Sequence, residues 1–141
     1  MEAYMARAKV EVSTLVNADL ATVWNCFVQP EHILKWNHAS EDWETSTAEN
    51  DVRTGGYFSY KMRAKDGSFE FNFGGVYHKV TPMEEIVYTL GDGRRVDITF
   101  GETEGGIKLT EIFDAEEVHD IEMQRQGWQA ILDNFKKYTE L

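Results

Sequence analysis

The sequence predicts an α+β domain in which a curved, seven-stranded antiparallel sheet closes around a long C-terminal helix, with two short helices after the first strand. Three observations lead there. Between residues 43 and 113 no helical period appears, only short alternating runs separated by turn residues. The chain then ends in an amphipathic stretch whose only available partner is the sheet upstream. Aromatic residues make up 13% of the chain, enough for a thick interior and for walls too bulky to close completely.

The first strand falls at Lys9–Val16, where Val10, Val12 and Val16 alternate with polar neighbours. Asn17 or Asp19 can cap the helix that follows, and Leu20, Val23, Trp24 and Phe27 recur at helical spacing on its buried side. Pro30 suits the first turn of a second short helix carrying Ile33, Leu34 and Trp36. Strands are then expected at 43–47, 57–64, 69–80, 86–90, 96–100 and 107–113. The turn signals Gly55-Gly56, Asp66-Gly67, Asp92-Gly93 and Gly105-Gly106 join them as hairpins. Pro82 ends the longest strand, and Gly74-Gly75 inside it suggests a bulge or a sharp bend. The last helix is expected over 120–141, a length of about 33 Å. Its stripe is Ile121, Trp128, Ile131, Leu132, Phe135 and Tyr138, with Glu122, Gln129, Asp133, Lys136 and Lys137 facing away. Gly127 costs helix propensity, which suggests a close approach to the sheet or a slight kink.

Composition excludes several functions. A net charge of -11 repels phosphate backbones, so nucleic acid is not an expected partner. No apolar run reaches membrane-spanning length, and Met1-Glu2-Ala3-Tyr4 lacks a basic-then-apolar signal pattern. A cytoplasmic location and one domain over residues 1–141 are therefore expected. The single cysteine, Cys26, sits in an apolar run and reads as a small buried hydrophobe. His32, His38, His78 and His119 make no ligand spacing, so neither a metal nor another cofactor is expected. Gly91-Asp92-Gly93 opens no helix and is a hairpin turn, not a phosphate loop. The acidic run 114–120 reads as a solvated lead-in to the last helix.

Several motifs carry a family likeness. Ala21-Thr22-Val23-Trp24 with Pro30-Glu31 and Gly55-Gly56-Tyr57-Phe58 resembles the helix-grip, START-like superfamily, which includes lipid-transfer domains, the birch-pollen allergen and polyketide cyclases. Gly75-Val76-Tyr77 leading to Val80-Thr81-Pro82, then Ile86-Val87-Tyr88-Thr89, then Gly127-Trp128 through Phe135, is similar to one branch of it. That branch is related to the C-terminal domain of the activator of the ninety-kilodalton heat-shock-protein ATPase. The resemblance implies the sheet-and-helix fold and a hydrophobic cavity more than it implies chaperone work, because fold alone does not carry function.

Inward positions must alternate along each strand. Phe58, Tyr60 and Met62 share one parity, as do Phe69, Phe71 and Phe73, and Ile107, Leu109, Glu111 and Phe113. Single aromatics at strand spacing are more often core than ligand contacts, but their sum on both walls favours a cavity. The expected ligand-binding set is Trp43, Phe58, Tyr60, Met62, Phe71, Phe73, Leu109, Glu111, Trp128, Ile131 and Phe135. Glu111, between Leu109 and Phe113, either pairs with an internal Arg or Tyr or meets a ligand hydroxyl; inward and unpaired, its pKa is expected to rise, which makes it an acid–base candidate. His38, with Glu41 or Asp42, is the second acid–base candidate, although a solvated loop histidine is the more frequent case.

Three functions fit. The first is binding of a hydrophobic or aromatic small molecule. The second is a cyclase- or hydratase-type enzyme using Glu111, Tyr60 or His38. The third is an interaction module for a heat-shock ATPase. A homodimer is compatible with each.

Overall fold

The computed structural model describes residues 7–141; Met1-Glu2-Ala3-Tyr4 lies outside them. Strand β1 (Lys9–Val16) leads into α1 (Leu20–Val28) and α2 (Pro30–Trp36). Six strands follow: β2 (Trp43–Asn50), β3 (Tyr57–Ala64), β4 (Glu70–Thr81), β5 (Glu85–Leu90), β6 (Arg95–Thr103) and β7 (Gly106–Asp114). Helix α3 (Ile121–Thr139) closes the chain. The curled sheet has the order β1-β7-β6-β5-β4-β3-β2, antiparallel throughout, so the first strand pairs with the last.

Local chemistry explains the boundaries. Asp19 caps α1 by accepting from the Thr22 amide at 2.8 Å. Pro30 opens α2, and the Trp36 indole Nε1 donates to the Cys26 carbonyl at 2.8 Å, which folds α2 back on α1. Asn37 then ties α2 to β2: its Nδ2 donates to Thr45 Oγ1 at 3.1 Å, and Thr45 donates back to the Asn37 carbonyl. Cys26 is buried in this region. Phe27, Trp36, Phe100 and Phe135 form one aromatic cluster, with ring centroids 4.9 to 5.6 Å apart.

The glycine pair in β4 has a different cause from the one expected. Its register is regular through Gly74 and Gly75, and the bulge lies beyond, between Tyr77 and Lys79. The pair is needed because neighbouring backbone comes too close. A Cβ on Gly74 would sit 2.6 Å from the Phe58 carbonyl oxygen, and one on Gly75 would sit 2.4 Å from that of Thr89.

Helix α3 also departs from expectation in three ways. Gly127 faces open space, so no close approach explains it. Ile121 is exposed, because the buried stripe begins only further along the helix. Gln129 and Lys136 do not face away: with Arg125 they dock on β1. Arg125 Nη1 donates to the Glu11 carbonyl (2.8 Å), Gln129 Nε2 to Ser13 (3.0 Å) and Lys136 Nζ to Leu15 (2.6 Å). These alternate carbonyls point away from β7, so α3 satisfies the exposed edge of the sheet as well as covering its face.

Candidate functional site

A cavity of about 290 Å³ lies between the concave sheet face and α3. This is near the lower end of the range for small-molecule sites. Period-two alternation builds its floor: Phe58, Tyr60 and Met62 from β3, Phe71, Phe73 and Tyr77 from β4, Ile86 and Tyr88 from β5, Ile98 from β6 and Glu111 from β7. Trp128 and Ile131 from α3 form the roof. Trp128 is held flat by Phe113, whose ring is parallel within 10° at a centroid distance of 3.9 Å. Phe27, Val28, Trp36, Asn37 and Asn50 contribute from the α1–α2 side.

Two polar groupings reach this mostly apolar space. Asn50 anchors one: its Nδ2 donates to the Val28 carbonyl at 2.8 Å, and its Oδ1 accepts from the Tyr77 hydroxyl. The other lies where the start of β6 meets the end of β7, fixed by the Arg95 amide donating to Asp114 at 2.8 Å. There Arg94, Glu116, His119 and Gln124 line the cavity. Gln124 pins the β7–α3 loop by accepting from the Glu116 amide (2.9 Å) and donating to the carbonyls of Glu116 (3.1 Å) and His119 (2.9 Å). Glu116 bonds the His119 ring, and Arg94 pairs with Asp92 at 2.8 Å.

Glu111 lies on the inward face of β7 and lines the cavity. Its side chain is flanked by Leu109 and Phe113, both at 0% exposure, and opposes Val12 and Ile98 across the sheet. Among the described residues no hydrogen bond or ion pair to it is formed. With 9% of its surface exposed and no partner, burial pushes its carboxyl up to about 8. Burial also raises the Tyr60 and Tyr88 hydroxyls well above their usual value, and the charge of Glu111 adds to the effect on Tyr88. Of the alternatives open for Glu111, pairing with an internal Arg or Tyr is not found among the described residues.

The structure gathers Phe58, Tyr60, Met62, Phe71, Phe73, Glu111, Trp128 and Ile131 around this space. It leaves out three of the expected ligand-binding residues and the second acid–base candidate, His38. Leu109 and Phe135 are fully buried core, because each is covered by neighbours from the opposite layer. Trp43 lies beyond the cavity against Phe69 and Phe71, each at 6.0 Å. Phe69 itself precedes β4 and is exposed, so the inward parity of that run begins only later. His38 does not line the cavity; its main-chain carbonyl accepts from the Asn134 side chain on α3. Conversely, the sequence reading missed Tyr77, Tyr88, Asn50, Arg94, Glu116, His119 and Gln124. Tyr88 was legible from the Ile86-Tyr88-Leu90 parity, whereas residues 116 and 119 come inward only because Gln124 folds the loop. Among the described residues no helix is long and apolar enough to cross a membrane, and no three His, Cys, Asp or Glu side chains cluster as metal ligands.

A curled antiparallel sheet wrapped on a C-terminal helix with a cavity between them defines the helix-grip class. The chain belongs to the Activator of Hsp90 ATPase homolog 1-like protein family, whose model matches residues 17–140. The solution structure of an AHSA1-like protein from Aeromonas hydrophila is 39% identical, with a TM-score of 0.89, over 94% of this chain and 92% of that one. A solution structure from Cytophaga hutchinsonii is 47% identical, with a TM-score of 0.79, over 95% and 92%. A crystal structure from Chromobacterium violaceum, 23% identical with a TM-score of 0.84 over 94% and 97%, shares the fold. No curated protein matches the sequence.

Proposed function

We propose that the chain is a cytoplasmic binding protein that takes a hydrophobic or aromatic small molecule into the cavity between the sheet and α3. The observation that carries this is the pairing of aromatic walls with a buried carboxyl, Glu111, that has no partner among the described residues. Apolar burial supplies affinity and a few convergent polar atoms set orientation. A two-ring aromatic compound burying about 250 Å² would gain about 6 kcal/mol gross at 25 cal/mol per Å². Ordering costs reduce this, so dissociation constants in the micromolar to millimolar range are expected for unoptimised ligands. Native mass spectrometry of the purified protein, with thermal shifts against aromatic and lipid libraries, tests the proposal. A co-purified or stabilising small molecule supports it. No shift with any compound, together with a solved structure in which side chains fill the cavity, overturns it.

One observation favours a second reading, an acid–base enzyme of the cyclase or hydratase type. A buried carboxyl raised to about 8 that shares the cavity lining with the Tyr88 hydroxyl is suited to proton transfer at neutral pH. Once a substrate is found, Glu111→Gln should abolish turnover while retaining binding; unchanged turnover refutes the assignment.

A further inference from the structure

We propose that the ligand class of this cavity is an organic cation, an amine on an apolar or aromatic body, whose ammonium group meets the Glu111 carboxylate among the rings of the sheet. This rests on the binding function proposed above and narrows it. Glu111 is nine-tenths buried, lines the cavity and has no partner among the described residues. Once ionised, the carboxylate is an acceptor only and needs a donor, and a cation donates while also offsetting the buried charge, so its binding draws Glu111 into the ionised form. Phe58, Phe73, Tyr88 and Trp128 line the same cavity, and the faces of aromatic rings attract cations. A carboxylate ligand meets the reverse situation. The one arginine on the lining, Arg94, is engaged with Asp92, and the chain's net charge of -11 repels anions from the start. A neutral alcohol can bond to Glu111 but gains nothing from the ring faces or from the overall field.

The titratable groups that share the cavity with Glu111 are Tyr60 (β3), Tyr77 (β4), Tyr88 (β5), Arg94 before β6, and Glu116 and His119 in the loop before α3. The tyrosines are raised by burial and stay neutral through the physiological range. Val12, Ile98, Gln124, Trp128 and Ile131, facing from β1, β6 and α3, carry no titratable group.

Three indole probes separate the chemistry: tryptamine, its neutral alcohol tryptophol, and indole-3-propionate, titrated calorimetrically at pH 6, 7 and 8. Tryptamine at pH 8 should bind at least about tenfold more tightly than tryptophol, the difference a charge-assisted hydrogen bond provides. Its affinity should rise by up to about tenfold per pH unit as Glu111 ionises, while tryptophol stays flat and indole-3-propionate binds weakest. In Glu111→Gln, tryptamine and tryptophol should bind alike with no pH slope; His38→Gln, outside the cavity, should keep the wild-type slope. Tryptophol binding as tightly as tryptamine in the wild type, or a preference that survives Glu111→Gln, overturns the cation proposal and leaves the binding function intact. Failure of all three probes at millimolar concentration overturns the cation proposal, and the binding function falls with it only if the library screen also finds no stabilising compound.

Discussion

Replacing Glu111 by glutamine should make the protein more stable at neutral pH and remove part of its pH dependence. The carboxyl has a pKa of about 8 in the folded chain against 4.5 when solvated. Below 4.5 it is protonated in both states and has no effect on the balance. Between 4.5 and about 8 the unfolded chain releases the proton while the folded chain keeps it, so stability falls as pH rises; above 8 the full loss has been incurred. At about 1.36 kcal/mol per pH unit the whole span is worth about 5 kcal/mol, of which about 3.5 kcal/mol accrues between pH 5 and pH 8. Glutamine has nearly the same shape and does not ionise. The stability advantage of Glu111→Gln should therefore grow by about 3.5 kcal/mol across that interval, on the order of 10 °C in Tm for a chain of this size. Urea unfolding followed by tryptophan fluorescence at pH 5, 6, 7 and 8 measures it, with the urea dependence expected to be equal in the two proteins. Parallel stability profiles for the two proteins would refute the reasoning, since they would mean that Glu111 is paired or solvated.

Other outcomes follow from the packing. Gly75→Ala drives a Cβ into the Thr89 carbonyl at 2.4 Å and should cost about 2–4 kcal/mol in urea unfolding. Trp128→Ala removes the ring stacked on Phe113 and should cost about 3 kcal/mol, with a loss of indole-probe binding seen in the same calorimetry. Ile131→Trp, on the half-buried cavity roof, should abolish probe binding while changing stability by about 1 kcal/mol or less, because it fills existing space. Gln129→Ala leaves the Ser13 carbonyl without its donor; about 1 kcal/mol of stability and faster amide exchange along β1 are expected.

Much of the scaffold could be read directly from the residues. Strand β1 at Lys9–Val16, Pro30 at the start of α2 and the hairpin turns at Gly67 and Gly93 are local signals, set by side-chain alternation and backbone preference, and the structure has each of them. The inward parity that exposes Glu111 to the cavity is equally local, since it needs only the period of a strand. What could not be read depends on contacts between distant segments. His119 and Glu116 look like part of a solvated acidic run until Gln124, on the next element, folds their loop inward. Gln129 and Lys136 are polar residues on an amphipathic helix, and nothing in their spacing reveals that an edge strand offers them carbonyls. Leu109 and Phe135 share the inward faces, but whether an inward residue meets a cavity or a neighbour depends on how the layers pack. The bulge between Tyr77 and Lys79 likewise has no proline or glycine to mark it.

The central claim is that an aromatic small molecule occupies the space between the sheet and α3. Nuclear Overhauser contacts between tryptamine and methyl-labelled protein test this most directly. Contacts from the indole to the methyl groups of Met62, Ile98 and Ile131 are expected, because these three line the cavity from β3, β6 and α3. Contacts confined to residues away from the cavity, or the absence of any contact with these three methyl groups under saturating ligand, would contradict it.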